Sequence, residues 1–131
     1  EEAVDTSRED FVAAARAWTG KRGLDVAVDH VGQETFDRTL RCLAKGGRYV
    51  TCGATSGPEM KTDFRLVFFK SLSILGSTMA SKSRLFPILR FVEEGKLKPV
   101  VGQVLPLEAA AEGHRLLEER RVFGKVVLQM G

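Results

Sequence analysis

The sequence has little cysteine and no long hydrophobic run, and each shortage excludes a class of protein. Its two cysteines, Cys42 and Cys52, have neither CxxC nor Cys/His zinc spacing and are too few for a disulfide framework. No apolar stretch approaches the roughly 18 residues that a membrane-spanning helix needs. The first five residues, EEAVD, have no signal or transit pattern. We therefore expect a cytoplasmic protein with reduced thiols and no membrane partner.

The sequence also lacks a large excess of charge of either sign. The 131 residues include 20 Lys and Arg against 17 Asp and Glu, for a formal net charge of +3. The basic residues are scattered, and in EERR at 118–121 the acids cancel the bases. A nucleic-acid-binding surface needs clustered Lys and Arg. The pattern therefore favours a globular protein that does not bind nucleic acid.

Hydrophobic periodicity and turn signals predict alternating helices and strands. The first helix is predicted to follow a capping box at Thr6 and Glu9, with Phe11 and Trp18 on its apolar face. Further helices are predicted at 33–44, 63–70, 83–94 and 107–120, and strands at 24–29, 48–52, 72–76, 100–105 and 125–130. This alternation is typical of the α/β class, in which right-handed crossovers make the first three strands parallel neighbours.

The carboxyl ends of these three strands form the candidate ligand-binding edge, because ligands of open α/β sheets bind there. The strands run into DHVG at 29–32, CGATSG at 52–57 and GSTM at 76–79. Each segment has a glycine beside small or polar residues, which permits close approach of a ligand to the backbone. Each one alone is also an ordinary strand-to-helix turn, so the binding site is favoured by the three together.

Six segments, in this order, resemble the medium-chain dehydrogenase/reductase superfamily of zinc-type alcohol dehydrogenases and quinone oxidoreductases. They are LDVAVDHVG at 24–32, LAKGGRYV at 43–50, LSILGS at 72–77, EGKLKPV at 94–100, LPLEAAAEGH at 105–114 and FGKVVL at 123–128. The resemblance runs essentially end to end. It implies the second half of a Rossmann-type parallel sheet in residues 1–95 and a C-terminal return to the catalytic domain in residues 96–131.

The resemblance also identifies what these residues lack. Members of the superfamily begin with a catalytic domain, which supplies the zinc ligands where zinc is present, and continue with a first Rossmann strand and its Gly-rich turn. No GxGxxG segment occurs here, and the chain does not begin with Met. We therefore expect a fragment of a longer enzyme, without metal ligands or catalytic residues of its own and inactive alone.

Eight residues are assigned by the resemblance to the cofactor, which would be NAD or NADP. Two would lie near the adenosine, five near the nicotinamide and one near the phosphates. In that order they are Val31 and Gly32; Cys52, Gly53, Ala54, Ser77 and Met79; and Lys125. A branched side chain at position 53 is expected to occupy space that the nicotinamide ring needs. Lys125 is equally typical of a solvated residue at the start of a strand.

Other residues that could carry chemistry have a structural explanation. Asp29 and His30 could act as an acid–base pair, although an Asp at the end of a buried strand more often caps the following turn. His114 falls on the apolar face of a helix, where a packed, hydrogen-bonded histidine is expected. The three phenylalanines of FRLVFF at 64–69, together with Leu72 and Ile74, are expected in the core.

The function implied by the resemblance is hydride transfer between a nicotinamide cofactor and an alcohol, aldehyde or quinone-like small molecule. The enzyme would be a homo-oligomer, with or without zinc. An enoyl reductase shares this half of the fold. A different class, a non-catalytic partial dehydrogenase fold kept for subunit association, is favoured by the missing half of the site if the chain is a natural gene product. Without the first Rossmann strand, the strand at 24–29 is expected to have an unpaired edge, and the chain is expected to self-associate through that edge or through residues 68–76.

Overall fold

A computed structural model describes residues 2–131, and its chain divides into two units after Met79. The second unit runs from Ala80 to Gly131. The predicted boundary between residues 95 and 96 refers to the intact dehydrogenase fold and stays a prediction. Within the described residues, no helix has the length and apolar character needed to cross a membrane.

The first unit alternates helices and strands as the sequence predicts. Its elements are α1 (Phe11–Trp18), β1 (Leu24–Asp29), α2 (Phe36–Cys42), β2 (Leu43–Thr51), α3 (Phe64–Phe69) and β3 (Ser73–Gly76). The three strands are parallel and lie in the order β1-β2-β3. The predicted α/β class and the parallel neighbours are confirmed.

The boundary between α2 and β2 differs from the prediction of a helix to residue 44 and a strand from 48. The chain becomes extended already at Leu43, where φ is −70° and ψ is 143°. Pairing with β1 then jumps from Leu43 to Arg48, and Gly46 inside this irregular stretch has φ of 76°. Leu43 fits the apolar face of a helix as well as a strand, so periodicity alone could not place the boundary.

The start of α1 is also corrected. Asp10 is the N-cap, and its carboxylate accepts the N–H of Val12 at 3.0 Å. Residues before it form a separate turn, in which the N–H groups of Arg8 and Glu9 donate to the carbonyl of Asp5 at 2.9 Å. The capping box predicted at Thr6 and Glu9 is therefore wrong, because an Asp directly before the apolar residues serves the helix instead.

The core of the first unit lies between α2 and the sheet. Phe36, Leu40, Leu43 and Tyr49 form its buried cluster. The rings of Phe36 and Tyr49 meet edge to face with their centroids 5.1 Å apart, a favourable geometry for aromatic pairs. Helix α2 and strand β2 are thereby packed together at the centre of the unit.

The phenylalanines of α3 do not belong to this core. Phe64, Phe68 and Phe69 are exposed, as is Ile74 of β3. The helix packs against the core cluster through Leu66 and Val67, which are only partly buried. The expectation of buried phenylalanines is wrong for this chain, because these two aliphatic residues fill the side of the short helix that faces the cluster.

A buried carboxylate connects β1 to its neighbours. One Asp29 oxygen accepts the Val31 N–H at 2.7 Å, and the other accepts the hydroxyl of Thr35 at 2.7 Å and that of Tyr49 at 2.9 Å. Burial alone would raise the pKa of Asp29, but the hydrogen bonds to its oxygens outweigh burial and lower that pKa. Burial and the nearby carboxylate raise the pKa of Tyr49 to about 12. Asp29 therefore caps the following turn, as predicted.

The second unit has two helices and two strands. They are α4 (Lys82–Glu93), β4 (Val101–Pro106), a single 3₁₀ turn (Leu107–Ala109), α5 (Ala110–Glu118) and β5 (Lys125–Gln129). Strands β4 and β5 are parallel. The predicted helix at 107–120 is thus shorter and begins with the 3₁₀ turn. Ser81, rather than the predicted Ser83, precedes α4 as its N-cap.

Helix α5 faces its two strands through Gly113. A Cβ at this position would lie 3.2 Å from Val126 and 3.6 Å from Leu105, so the helix approaches both strands closely. His114 follows Gly113 by about 100° around the helix and is exposed. The prediction of a packed His114 is wrong, because the small residue beside it makes the contact with the strands.

Removal of the Tyr49 hydroxyl tests the buried carboxylate. We expect Tyr49→Phe to lower the free energy of unfolding by about 1.5–3 kcal/mol, the usual value of a hydrogen bond to a charged group. In an Asp29→Asn background the same substitution should cost at least about 1 kcal/mol less. Urea denaturation of the chain, followed by circular dichroism, measures both values. Additive effects of the two substitutions would contradict this coupling.

The lowered pKa of Asp29 predicts a pH dependence of stability. A carboxyl group whose pKa is lowered by folding stabilises the fold above its ordinary pKa of 3.8 and loses that contribution as the pH falls through the lowered value. The difference in unfolding free energy between the parent chain and Asp29→Asn should therefore be constant above about pH 5 and shrink below about pH 4. Urea denaturation at a series of pH values measures it. A difference that persists unchanged to about pH 2 would be the contrary result.

Candidate functional site

A cleft lies at the carboxyl ends of β2 and β3. The segments that leave the two strands are joined there, because the N–H of Ser77 donates to the carbonyl of Thr51 at 2.8 Å. The cleft has a volume of about 600 Å³ and is lined by Thr51, Cys52, Gly53, Ala54, Met60, Gly76, Ser77 and Thr78. This is the sheet edge at which the sequence predicts a ligand.

Four of the eight predicted cofactor residues line this cleft. They are Cys52, Gly53 and Ala54, which follow β2, and Ser77, which follows β3. Two segments separated by more than twenty residues in the sequence thus form one surface. Binding of a cofactor by these four residues stays a prediction.

Val31 and Gly32 lie in the turn after β1, beside the cleft but outside its lining. The carbonyl of Val31 accepts both the N–H and the hydroxyl of Ser56 at 2.8 Å, which ties this turn to the loop after β2. Gly32 is buried with φ of 92°, and a Cβ there would lie 3.0 Å from the Cα of Ala54. A side chain at position 32 would therefore push the two segments apart.

The remaining two predicted residues are Met79, which is outside the cleft lining, and Lys125, which belongs to the second unit. Met79 has φ of 38° and its side chain is 93% exposed, so within the first unit it contacts little. Lys125 belongs to the second unit, where it opens β5 and donates its N–H to the carbonyl of Val100 at 2.8 Å. Its side chain is exposed, as for a solvated residue at a strand start.

The two glycines of the cleft differ in the space around them. A Cβ at Gly53 would lie 3.1 Å from the carbonyl oxygen of His30, so it would press on the turn after β1. The expectation that a branched side chain at position 53 occupies the ligand's space stays a prediction, and the substitution would also displace this turn. A Cβ at Gly76 would meet no atom within 4 Å, and its backbone is not in the left-handed region. Position 76 lines the cleft, and a Cβ there would meet open space without displacing protein.

The cleft presents hydroxyls, backbone groups and small side chains, with no charged side chain in its lining. The hydroxyl of Thr51 donates to the carbonyl of Gly53 at 2.9 Å and helps to fix the turn after β2. Such a surface can hold a neutral ring by van der Waals contact and backbone hydrogen bonds. Its lining lacks the carboxylate, imidazole or amine that general acid–base catalysis employs.

The remaining sequence candidates have structural roles. The hydrogen bonds of Asp29 go to the turn, Thr35 and Tyr49, and none is formed with the exposed His30. Cys42 is buried, which raises the pKa of its thiol and disfavours a nucleophilic thiolate. In the described part of the chain, no three His, Cys, Asp or Glu side chains are grouped to hold a metal ion.

Three lining residues, Thr51, Met60 and Thr78, were not assigned to the cofactor from the sequence, and neither was Gly76. Gly76 and Thr78 lie in the segment GSTM, which the rule that ligands bind at carboxyl ends already places at this edge, and the same rule could have found Thr51, the last residue of β2. Met60 lies in the irregular loop before α3 and packs partly against the core cluster. No sequence signal marks it.

The sequence and the fold are similar to those of known dehydrogenases and reductases. The family model described as zinc-binding dehydrogenase matches residues 1–128. The acryloyl-coenzyme A reductase of Sulfurisphaera tokodaii is 34% identical over 106 residues, which are 79% of this chain and 31% of that protein. The NAD-dependent alcohol dehydrogenase of Saccharolobus solfataricus is 29% identical over 126 residues, which are 95% of this chain and 36% of that protein.

A solved structure agrees with these sequence relatives. The crystal structure of an NAD-dependent alcohol dehydrogenase superposes with a TM-score of 0.89 and 65% identity, and the match covers 99% of this chain and 38% of that one. The chain thus spans about a third of the length of the curated relatives named above. Because the family model extends over almost the whole sequence, the predicted resemblance is confirmed, and the chain belongs to the zinc-binding dehydrogenase family.

Proposed function

We propose that this chain is part of an NAD(P)-dependent oxidoreductase and that the cleft after β2 and β3 contacts the nicotinamide end of the cofactor. The observation that carries the proposal is the convergence of Cys52, Gly53, Ala54 and Ser77 on one uncharged surface at the carboxyl edge of a parallel sheet. Relatives named NAD-dependent alcohol dehydrogenase, and a structural neighbour determined with NADP, support a nicotinamide dinucleotide as the ligand.

The residues of this chain would bind and orient the ring. A nicotinamide cofactor, when bound, supplies the centre that accepts or donates a hydride. Ser77 and Thr78 offer hydroxyls and backbone groups to the carboxamide of the ring, and the small residues after β2 leave room for its face. Val31 and Gly32 would contribute by holding the turn after β1 close to the loop after β2. This turn is on the side that the resemblance assigns to the adenosine.

The described residues do not fit a zinc site. Zinc is held in proteins by Cys, His, Asp and Glu side chains, and residues 2–131 contain no group of three that could hold a metal ion. The proposal therefore routes no step through a metal in this chain. Any zinc ligands of the intact enzyme would come from other parts of it.

The substrate class is inferred from the names of the relatives, because the cleft itself does not distinguish between substrates. An alcohol, aldehyde or quinone-like molecule agrees with the relatives named alcohol dehydrogenase and quinone oxidoreductase-like protein. An enoyl thioester agrees with those named acryloyl- and crotonyl-coenzyme A reductase. A steady-state assay of the full-length protein with both classes, using NADH and NADPH in turn, separates them.

A second proposal, self-association, rests on surfaces of the first unit. Within the described residues β1 has a paired neighbour on one side only, and Val28 on it is 73% exposed. The phenylalanines of α3 add further exposed apolar area. Unpaired edges and apolar patches favour association with another chain. These surfaces agree with a homo-oligomeric enzyme and also with a non-catalytic subunit-association module.

Substitution at Gly76 tests the cofactor cleft. In the full-length protein we expect Gly76→Val to weaken NADH and NADPH binding by at least about tenfold, because loss of about 1.4 kcal/mol of contact suffices and the new side chain enters open space at the cleft. The melting temperature should change little. Fluorescence titration of the reduced cofactor measures affinity.

Ser73→Val is the matched control for Gly76→Val. It places the same side chain on the same strand at an exposed position outside the cleft lining. We expect it to leave the cofactor affinity at the parent value. An unchanged cofactor affinity in Gly76→Val would contradict the proposal that this cleft binds the nicotinamide.

The isolated 131-residue chain tests the dependence on other parts of the enzyme. We expect it to bind NADH and NADPH negligibly, because its curated relatives are about three times as long and each lost charge-assisted hydrogen bond costs roughly 1.5–3 kcal/mol. We also expect it to self-associate through the exposed edge of β1 or through residues 68–76. Calorimetry and light scattering measure the two properties. A monomer with micromolar cofactor affinity would contradict the proposal that cofactor binding depends on other parts of the enzyme.

A further inference from the structure

A second concavity, of about 740 Å³, lies at the other end of the sheet in the first unit, where the strands begin. Gly23 precedes β1 and Leu43 opens β2, so this edge is opposite the cofactor cleft. We call it the basic pocket, because six of its lining residues are cations and none is an acid. The six are Arg16, Lys21, Arg22, Arg41, Lys45 and Lys70.

Three of these cations have hydrogen-bonding partners, which lie outside the pocket lining for Arg22 and Arg41 and within it for Lys70. Arg22 donates two hydrogen bonds of 2.7 Å to Asp25, and Arg41 pairs with Asp37 at 2.7 Å. The ammonium of Lys70 donates to the backbone carbonyls of residues 41 and 43 at 3.0 and 2.7 Å. The carboxylates offset the two arginines, whereas neutral carbonyls leave the charge of Lys70 in place.

The other three cations, Arg16, Lys21 and Lys45, form no ion pair with any residue of the described chain. They come from three different segments: α1, the loop after it and β2. Together with Lys70 they leave several positive charges around one concavity. Like charges collected in this way repel one another unless an anion accompanies them.

The negative partial charges at helix carboxyl ends explain some of these cations structurally, but those partial charges are too small to balance all six. The carboxyl ends of α1, α2 and α3 all reach the pocket, through Arg16, Arg41 and Lys70. Each helix end carries at most about half a negative charge. Three such ends, with the carboxylates of Asp25 and Asp37, fall short of six cations by more than two charges.

The environment of Lys70 agrees with this surplus. Burial lowers the pKa of Lys70, and the positive charges of Arg16 and Arg41 lower it further. The same field that opposes a proton on Lys70 attracts an anion into the pocket. The remaining lining is apolar or small, with Leu43 and Phe69 among it, so it contributes no negative charge to oppose an anion.

We propose that the basic pocket binds a small anion that carries at least two phosphoryl groups. Arginine and lysine are the residues that phosphate oxygens most commonly engage, and cations from separate elements suit an anion with charges at more than one place. The volume lies within the range of small-molecule sites. The site is separate from the cofactor cleft, and its occupancy does not depend on the proposed hydride transfer.

Inorganic pyrophosphate is the probe for this site. Calorimetric titration into the full-length protein should show one saturable site with a Kd below about 1 mM, with the same affinity whether NADH and NADPH are absent or saturating. The double variant Lys21→Gln, Lys45→Gln should bind pyrophosphate at least about tenfold more weakly than the parent. The ratio of the two affinities should be larger at low salt than at high salt. Neither lysine has an ion pair or a side-chain hydrogen bond in the described residues, so the variant should fold.

Lys61→Gln is the matched control, because Lys61 is an exposed lysine of the same unit outside the pocket lining. Its pyrophosphate affinity should remain within about twofold of the parent value, as for an exposed charge that does not line the site. The proposal is overturned by any of three results: no saturable binding, an equal loss in Lys61→Gln, or displacement of pyrophosphate by the dinucleotide. The last result would mean that pyrophosphate occupies the cofactor cleft instead.

Discussion

Three hydrogen bonds converge on the buried carboxylate of Asp29, and the arrangement of the first unit depends on them. The bond from Tyr49 fixes β1 beside β2, while the bond from Thr35 holds the residue that precedes α2. The bond from the Val31 N–H shapes the turn that reaches the edge of the cleft. A buried charge is stable only when its oxygens are well hydrogen-bonded. The core and the candidate site therefore share one electrostatic constraint.

Much of the fold could be predicted from the sequence, because strands and helices have different periods. β1 was predicted with its observed bounds, and the order of the three strands followed from the handedness of crossovers. The start of β2 could not be placed, since Leu43 satisfies both periods. The exposed phenylalanines of α3 could not be predicted either. Hydrophobicity indicates that a side chain can be buried, but burial also needs a neighbouring element that packs against it.

The candidate site was predictable in outline and not in detail. Four residues were placed together by the rule for strand ends, which needs no knowledge of side-chain geometry. The direction of a Cβ at Gly53 was not accessible, because it depends on how closely the turn after β1 approaches. The basic pocket was hidden for a related reason. Its cations are spread from residue 16 to residue 70, so they look scattered in the sequence and meet only when three helix ends reach one edge.

The strand order of the first unit has a consequence for its biosynthesis. Because β1, β2 and β3 lie in the sheet in the order in which they occur in the chain, each new strand adds to an edge that is already present. No strand has to insert between two others. The ribosome releases residues from the amino end, so the Tyr49–Asp29 pair can form before β3 has been synthesised. Each partly synthesised chain would then have a paired sheet with a free edge to which the next strand can add. Because consecutive strands are close in sequence, the loop that closes when they pair is short and its entropic cost is low.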